Sequence, residues 1–167
     1  MAADAEFAEA GGGLSKKERV ARYGEVFTPD WVARAMCDML EREAPEAFQP
    51  EKTFLEPTCG EGVFVCEVLR RKFANCRTDA ERRTALRSVW AMEIQADNVE
   101  KTIQAVTALC EGVFRLNKED RETIRDHLIQ ADALKVMKLL AAGNRNTIIT
   151  LNIGQSPVED TPRDAAE

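Results

Sequence analysis

The densest chemistry in this sequence lies in the run Phe54-Leu55-Glu56-Pro57-Thr58-Cys59-Gly60-Glu61-Gly62-Val63-Phe64. An apolar stretch leads into it and a helical pattern leads out. Two glycines at such a turn let the backbone fold tightly and approach a ligand, and the first N–H groups of the following helix lack helical acceptors. Glu56 puts a carboxylate at the end of the apolar stretch, suited to a ligand ammonium. Glu93 and Asp132 hold the same place after two later apolar runs. An acid ending the second strand of a nucleotide-binding sheet is the usual acceptor for ribose hydroxyls. Ile94, next to Glu93, offers a surface to an adenine face, and Asp132 can accept from an adenine amine. Singly, each acid is more often a helix cap or an exposed charge. Three at successive strand ends, the first beside a Gly-x-Gly turn, point to an adenosine-containing ligand. A dinucleotide fingerprint would need a third glycine where the chain has Val65, which weakens a nicotinamide-cofactor reading.

These residues need a sheet to bring them together. Residues 53–55, 89–94 and 128–130 read as strands, with a fourth at 147–151. Each of the first three is followed by a helical pattern. The first helix bears Phe64, Val65, Val68, Leu69 and Phe73; a second segment starts at Thr78, where Thr78 and Glu81 form a capping-box pattern. Val99, Ile103, Val106 and Leu109 mark another helix, and residues 133–142 the last. Upstream, residues 15–23 read as a short helix. Thr28 reads as the N-cap and Pro29 as the first residue of a helix that ends before Pro45 and carries Val32, Ala35, Met36, Met39 and Leu40 at helical spacing. Strands alternating with helices predict an α/β fold with a parallel sheet flanked by helices. The expected organisation is a disordered tail over residues 1–14, one domain over 15–154, and a tail over 155–167 with a net charge of −3.

Composition excludes several classes. A chain of 167 residues with 44% hydrophobic and 31% charged residues suits one globular domain. The acidic start, MAADAEFAEAGGG, has no signal-peptide pattern and no apolar run is long enough to span a bilayer, so a cytoplasmic location is expected. The five cysteines are odd in number, with no zinc-type spacing, and read as buried free thiols. No metal site is expected. His127, the only histidine, has no nucleophile motif near it and reads as structural or exposed. A net charge of −6 argues against holding DNA unaided. Between Arg70 and Arg87 seven basic residues face only Asp79 and Glu81; a solvated helix face is favoured over a phosphate-binding patch.

Four segments, in order and spacing, resemble the N-terminal half of a DNA adenine-N6 methyltransferase of the restriction–modification type. Gly24-Glu25-Val26-Phe27-Thr28-Pro29 is similar to the family's GxxFTP segment, and Glu56-Pro57-Thr58-Cys59-Gly60-Glu61-Gly62-Val63-Phe64 to its E/D-P-x-x-G-x-G-x-F motif. Glu93-Ile94 and Asp132-Ala133 stand where the next two motifs belong. The resemblance covers roughly residues 23–151. It implies a Rossmann-like methyltransferase fold, incomplete at the C-terminus, with S-adenosylmethionine as cofactor. It puts Thr28 near the methionine carboxylate, and Glu56, Pro57, Gly60, Gly62 and Phe64 at the methionine moiety. Glu93 takes the ribose hydroxyls, Ile94 lies against the adenine, and Asp132 with Ala133 lies at its edge.

One departure limits what the resemblance implies. The family's Asn/Asp-Pro-Pro-Tyr/Phe motif should follow the fourth strand, yet the sequence has no Pro-Pro pair, and residues 151–157 read LNIGQSP. That motif supplies the acceptors for the two hydrogens of the adenine amine and an aromatic ring that stacks on the flipped base. No residue is therefore assigned a catalytic role, and no methyl transfer is expected from this chain alone. DNA would be a partner only of a complete enzyme, with a missing C-terminal half or a partner chain supplying the rest. Dimerisation through an uncovered sheet edge is an added option. The alternatives are a catalytically dead scaffold or cofactor-sensing module, and an unrelated nucleotide-binding α/β domain. A bulky side chain at Gly60 or Gly62 is expected to obstruct the ligand and spare the core.

Overall fold

Three short parallel strands position everything else. In the computed structural model, which describes residues 16–23 and 28–142, β1 (Phe54–Glu56), β2 (Val89–Glu93) and β3 (Leu128–Gln130) are hydrogen-bonded in the order β1-β2-β3. Parallel neighbours need long crossovers. Helices α3 (Val63–Ala74) and α4 (Asp79–Arg87) connect β1 to β2, and α5 (Ala96–Glu111) and α6 (Lys118–His127) connect β2 to β3. Helices α1 (Lys16–Tyr23) and α2 (Asp30–Glu43) and a 3₁₀ turn (Pro45–Phe48) precede the sheet, and α7 (Ala133–Ala141) follows it. The fold is α/β, a parallel sheet flanked by helices. The expected fourth strand, residues 151–157 and both expected tails lie outside the described residues. Among the described residues no helix is long and apolar enough to cross a membrane.

The two faces of the sheet are covered unequally. Strand side chains alternate between faces, and the register pairs Glu56 with Ala91 and Ala91 with Leu128. Phe54, Val89, Ala91 and Leu128 therefore join the main core, built with Val65, Val68 and Leu69 of α3 and Val106 of α5. The opposite face carries a smaller cluster of Met92, Ile129 and Val136 with the half-buried Trp90. His127 belongs to this frame. Its ring stacks on Trp90 at 3.6 Å between centroids, and its Nδ1 lies 3.1 Å from the Val89 carbonyl. Burial holds its pKa below the usual histidine value.

Several sequence expectations change in detail. The first strand runs one residue later than expected and includes Glu56. Pro29, in extended conformation, is itself the N-cap of α2, so Thr28 is not the cap. The inward stripe of α2 is Ala33 and Cys37, with Val32 and Leu40 half-buried, while Met36 and Met39 are 53% and 58% exposed and Ala35 is exposed. Small residues on that stripe let α2 lie close on α3. Helix α6 is absent from the sequence reading altogether. Only Asp120 and Ile124 of its ten residues are buried, so apolar periodicity could not reveal it. The legible signal was a capping box, in which Asn117 accepts from the Asp120 N–H and Asp120 from the Asn117 N–H. The capping box expected at Thr78 and Glu81 is present.

The basic run is a solvated face only in part: Arg70, Arg77 and Arg87 are exposed, while acids meet several of its members. Arg71 pairs with Asp38, Glu41 and Glu67; Arg83 with the buried Asp120; and Arg87 with Glu119. Lys72 is fully buried and donates to the Gln49 and Lys52 carbonyls, which ties α3 to the turn before β1.

All five cysteines are free and buried. Burial pushes the Cys37 thiol up to about 11, and those of Cys59 and Cys110 to about 12, from an ordinary value of 9.0. Above about pH 9 the unfolded chain loses these protons while the folded chain keeps them. Stability should hold below that pH and fall as pH rises through about 11. Denaturant titrations at pH 8 and pH 10.5 check the sign. A thiol reagent at pH 8 should label the native chain slowly and all five thiols once denaturant is added.

Candidate functional site

The three acids sit at the carboxyl end of the sheet, but not on one level. Glu56 is in register with Ala91, two residues before Glu93, and Glu93 is in register with Gln130, two before Asp132. Two residues of strand are about 6.6 Å, so the site rises in steps from β1 to β3. The turn after β1 fills the first step, where the Cys59 N–H donates to the Met92 carbonyl at 2.9 Å. The Ala131 N–H donates to the Glu93 carbonyl at the second.

Glu93 joins the strand end to the glycine turn. It shares the face of Ala91, the face covered by α3 and α5, and is only 8% exposed. One carboxylate oxygen accepts the Gly60 N–H at 2.9 Å, and the other accepts the Gln95 N–H at 2.9 Å. An ionised carboxylate accepts about four hydrogen bonds, so two acceptor positions remain for a ligand diol. Gly60 has φ +55°, and a Cβ placed there would meet nothing within 4 Å. Gly62 has φ +84° and is the N-cap of α3, without a side-chain cap. The N-terminal N–H groups of α3 therefore open directly onto the turn. Helices α4 and α6, which start away from the strand ends, carry capping boxes instead.

The remaining expected residues are more loosely joined. Glu56 Oε1 accepts the Thr58 N–H at 3.2 Å, folding the turn over the end of β1. Both Glu56 and Glu93 act on the Cys59 thiol, adding to the burial that raises it. Pro57 and Phe64 are half-buried on either side of the glycines. Ile94 is 46% exposed beside Glu93, an apolar surface at the strand end. Asp132 Oδ1 caps α7, accepting from the Leu134 and Lys135 N–H groups, and Ala133 is the first residue of that helix. Half-buried Thr28 lies just before α2, and no hydrogen bond joins it to the turn.

Sequence reasoning missed Thr102. This side chain of α5 is fully buried, and its hydroxyl donates to the Gly60 carbonyl at 2.9 Å. Its signal was a polar residue in the helical stripe Asn98, Thr102, Val106 and Cys110, all buried. Lys101, next to it, pairs with Glu61 at 2.9 Å.

A cleft of about 370 Å³ between α5 and α6, lined by residues such as Gln104 and Arg125, includes none of the strand-end residues. No cluster of side chains suited to a metal ion occurs among the described residues. Comparisons with protein-family models, with curated proteins and with solved structures find no match to this chain.

Proposed function

We infer that this chain is the S-adenosylmethionine-binding portion of a DNA adenine-N6 methyltransferase of the restriction–modification type, on a Rossmann-like methyltransferase fold. The observation that carries this reading is the Glu93 carboxylate, seated against the glycine turn by the Gly60 N–H with acceptor positions to spare. The open space over Gly60 fits a ligand lying along the turn. Thr28, Glu56, Pro57, Gly60, Gly62 and Phe64 are assigned to the methionine moiety, and Glu93 to the ribose hydroxyls. Ile94, Asp132 and Ala133 are assigned to the adenine. The cofactor, when bound, brings a sulfonium methyl group open to attack by an amine; the chain's part is to hold and orient it. The 167 residues contain no Asn/Asp-Pro-Pro-Tyr/Phe sequence, so activation of the adenine amine falls to groups outside them.

That same missing motif favours a second reading, a scaffold or cofactor-sensing module of methyltransferase type. Calorimetric titration of the purified chain with S-adenosylmethionine, S-adenosylhomocysteine and NAD tests the donor site. Saturable binding of the first two and none of NAD is expected, with no labelled methyl group reaching adenine in DNA from this chain alone. A folded sample that binds neither methyl-cycle ligand would overturn the donor site and put the scaffold reading ahead.

A further inference from the structure

Gly60 is pinned from both sides. Its N–H is held by Glu93 and its carbonyl, on the next peptide, by the Thr102 hydroxyl at 2.9 Å. Those two bonds fix the torsions on either side of its Cα, including the positive φ. The same Thr102 Oγ1 lies 3.9 Å from Cys59 Sγ. A Cβ built on Gly62 would lie 2.7 Å from Thr102 Cγ2, so the side chain fills the space that Gly62 leaves. One residue on α5 thus touches Cys59, Gly60 and Gly62. A valine would fill that volume as well and would bury no hydroxyl. The hydroxyl is explained by the Gly60 carbonyl, a part-buried acceptor that is costly to leave unpaired.

We propose that Thr102 is a positioning residue for the cofactor: it holds the glycine turn in its ligand-ready shape and so sets the affinity of the site. The proposal rests on the reading of that site as an S-adenosylmethionine site. Hydroxyls of a ligand that take the remaining acceptor positions on Glu93 draw charge from its bond to the Gly60 N–H, and Thr102 is the contact that keeps the turn in place while they do.

Two substitutions in the full chain separate holding the turn from filling space. Thr102→Val keeps the volume and removes the hydroxyl; Thr102→Ser keeps the hydroxyl and removes the methyl group. Thr102→Val should bind S-adenosylmethionine about tenfold more weakly, as expected for one lost hydrogen bond, and should also melt lower because the Gly60 carbonyl loses its partner. Thr102→Ser should melt lower yet bind within about twofold of wild type. Hydrogen exchange at residues 59–62 should quicken in Thr102→Val and not in Thr102→Ser. Wild-type affinity in Thr102→Val, or equal loss in both variants, would overturn the proposal. If the unsubstituted chain binds no S-adenosylmethionine, the functional reading fails by itself, and exchange still decides the role of Thr102: unchanged rates at 59–62 in Thr102→Val overturn it.

Discussion

Gly62→Ala should destabilise the chain by about 2–5 kcal/mol, adding a positive-φ penalty of about 1–2 kcal/mol to an overpacking cost of about 1–3 kcal/mol. The residue sits at φ +84°, and the new Cβ would press on Thr102 Cγ2 at 2.7 Å and Oγ1 at 2.9 Å. Thr102 is fully buried in α5 and has little room to retreat. The expectation that a side chain at either glycine spares the core therefore fails at Gly62, where the collision is with the core itself. Gly60→Ala is the control. Its φ of +55° lies in the left-handed region and its Cβ would meet nothing within 4 Å, so it should cost only the positive-φ penalty of about 1–2 kcal/mol. It should instead weaken the ligand, because the Cβ enters the open space over the turn. Denaturant titration of both variants and of Gly62→Ala combined with Thr102→Ser checks the steric part. Removing Cγ2 should return about 1–2 kcal/mol, a coupling of the size expected for residues in contact. Strict additivity in that double variant would show that the backbone conformation, and not Thr102, demands the glycine.

Glu93→Ala should weaken S-adenosylmethionine by roughly 1–3 kcal/mol, the range for lost charge-assisted hydrogen bonds. In affinity this is roughly 5- to 150-fold. The same substitution strips the acceptor from the Gly60 and Gln95 N–H groups, both part-buried, so the turn should loosen as well. Glu93→Gln separates these effects. Its amide oxygen can still accept from one N–H, so the fold should be less disturbed than in Glu93→Ala, while the charge that favours two ribose hydroxyls is gone. Calorimetry on both variants, with melting temperatures alongside, is the measurement. Unchanged affinity in Glu93→Ala would overturn the placement of the ribose.

How much of this was legible depended on the range of the interaction. The strands, α3 and α5 announced themselves through apolar runs and helical spacing, and α4 through Thr78 and Glu81. The strand-end positions of Glu56, Glu93 and Asp132 followed from the same patterns, and all three lie at the carboxyl end of the sheet. Helix α6 was missed because its inward face is two residues wide. Helical spacing of the larger apolar residues did not mark the inward face of α2, where the small Ala33 and Cys37 are buried and Met36 and Met39 are exposed. The ion pairs of Arg71, Arg83 and Arg87 went unseen because their partners Asp38, Glu41, Asp120 and Glu119 lie outside the window in which charge was counted.

By itself the sequence determined the three described strands, every described α-helix but α6, their alternation, the glycine turn and the cap at Thr78. Each of these is decided within a few residues, by backbone sterics, by apolar period and by hydrogen bonds three or four positions apart. Only the tertiary structure decided that Glu93 would close on Gly60 from 33 residues away, and Thr102 from 42. Those meetings depend on the register of β1 against β2 and on the rotation of α5 above them. A shift of one residue in that register would turn Glu93 to the opposite face, so its place under the turn belongs to the packed sheet.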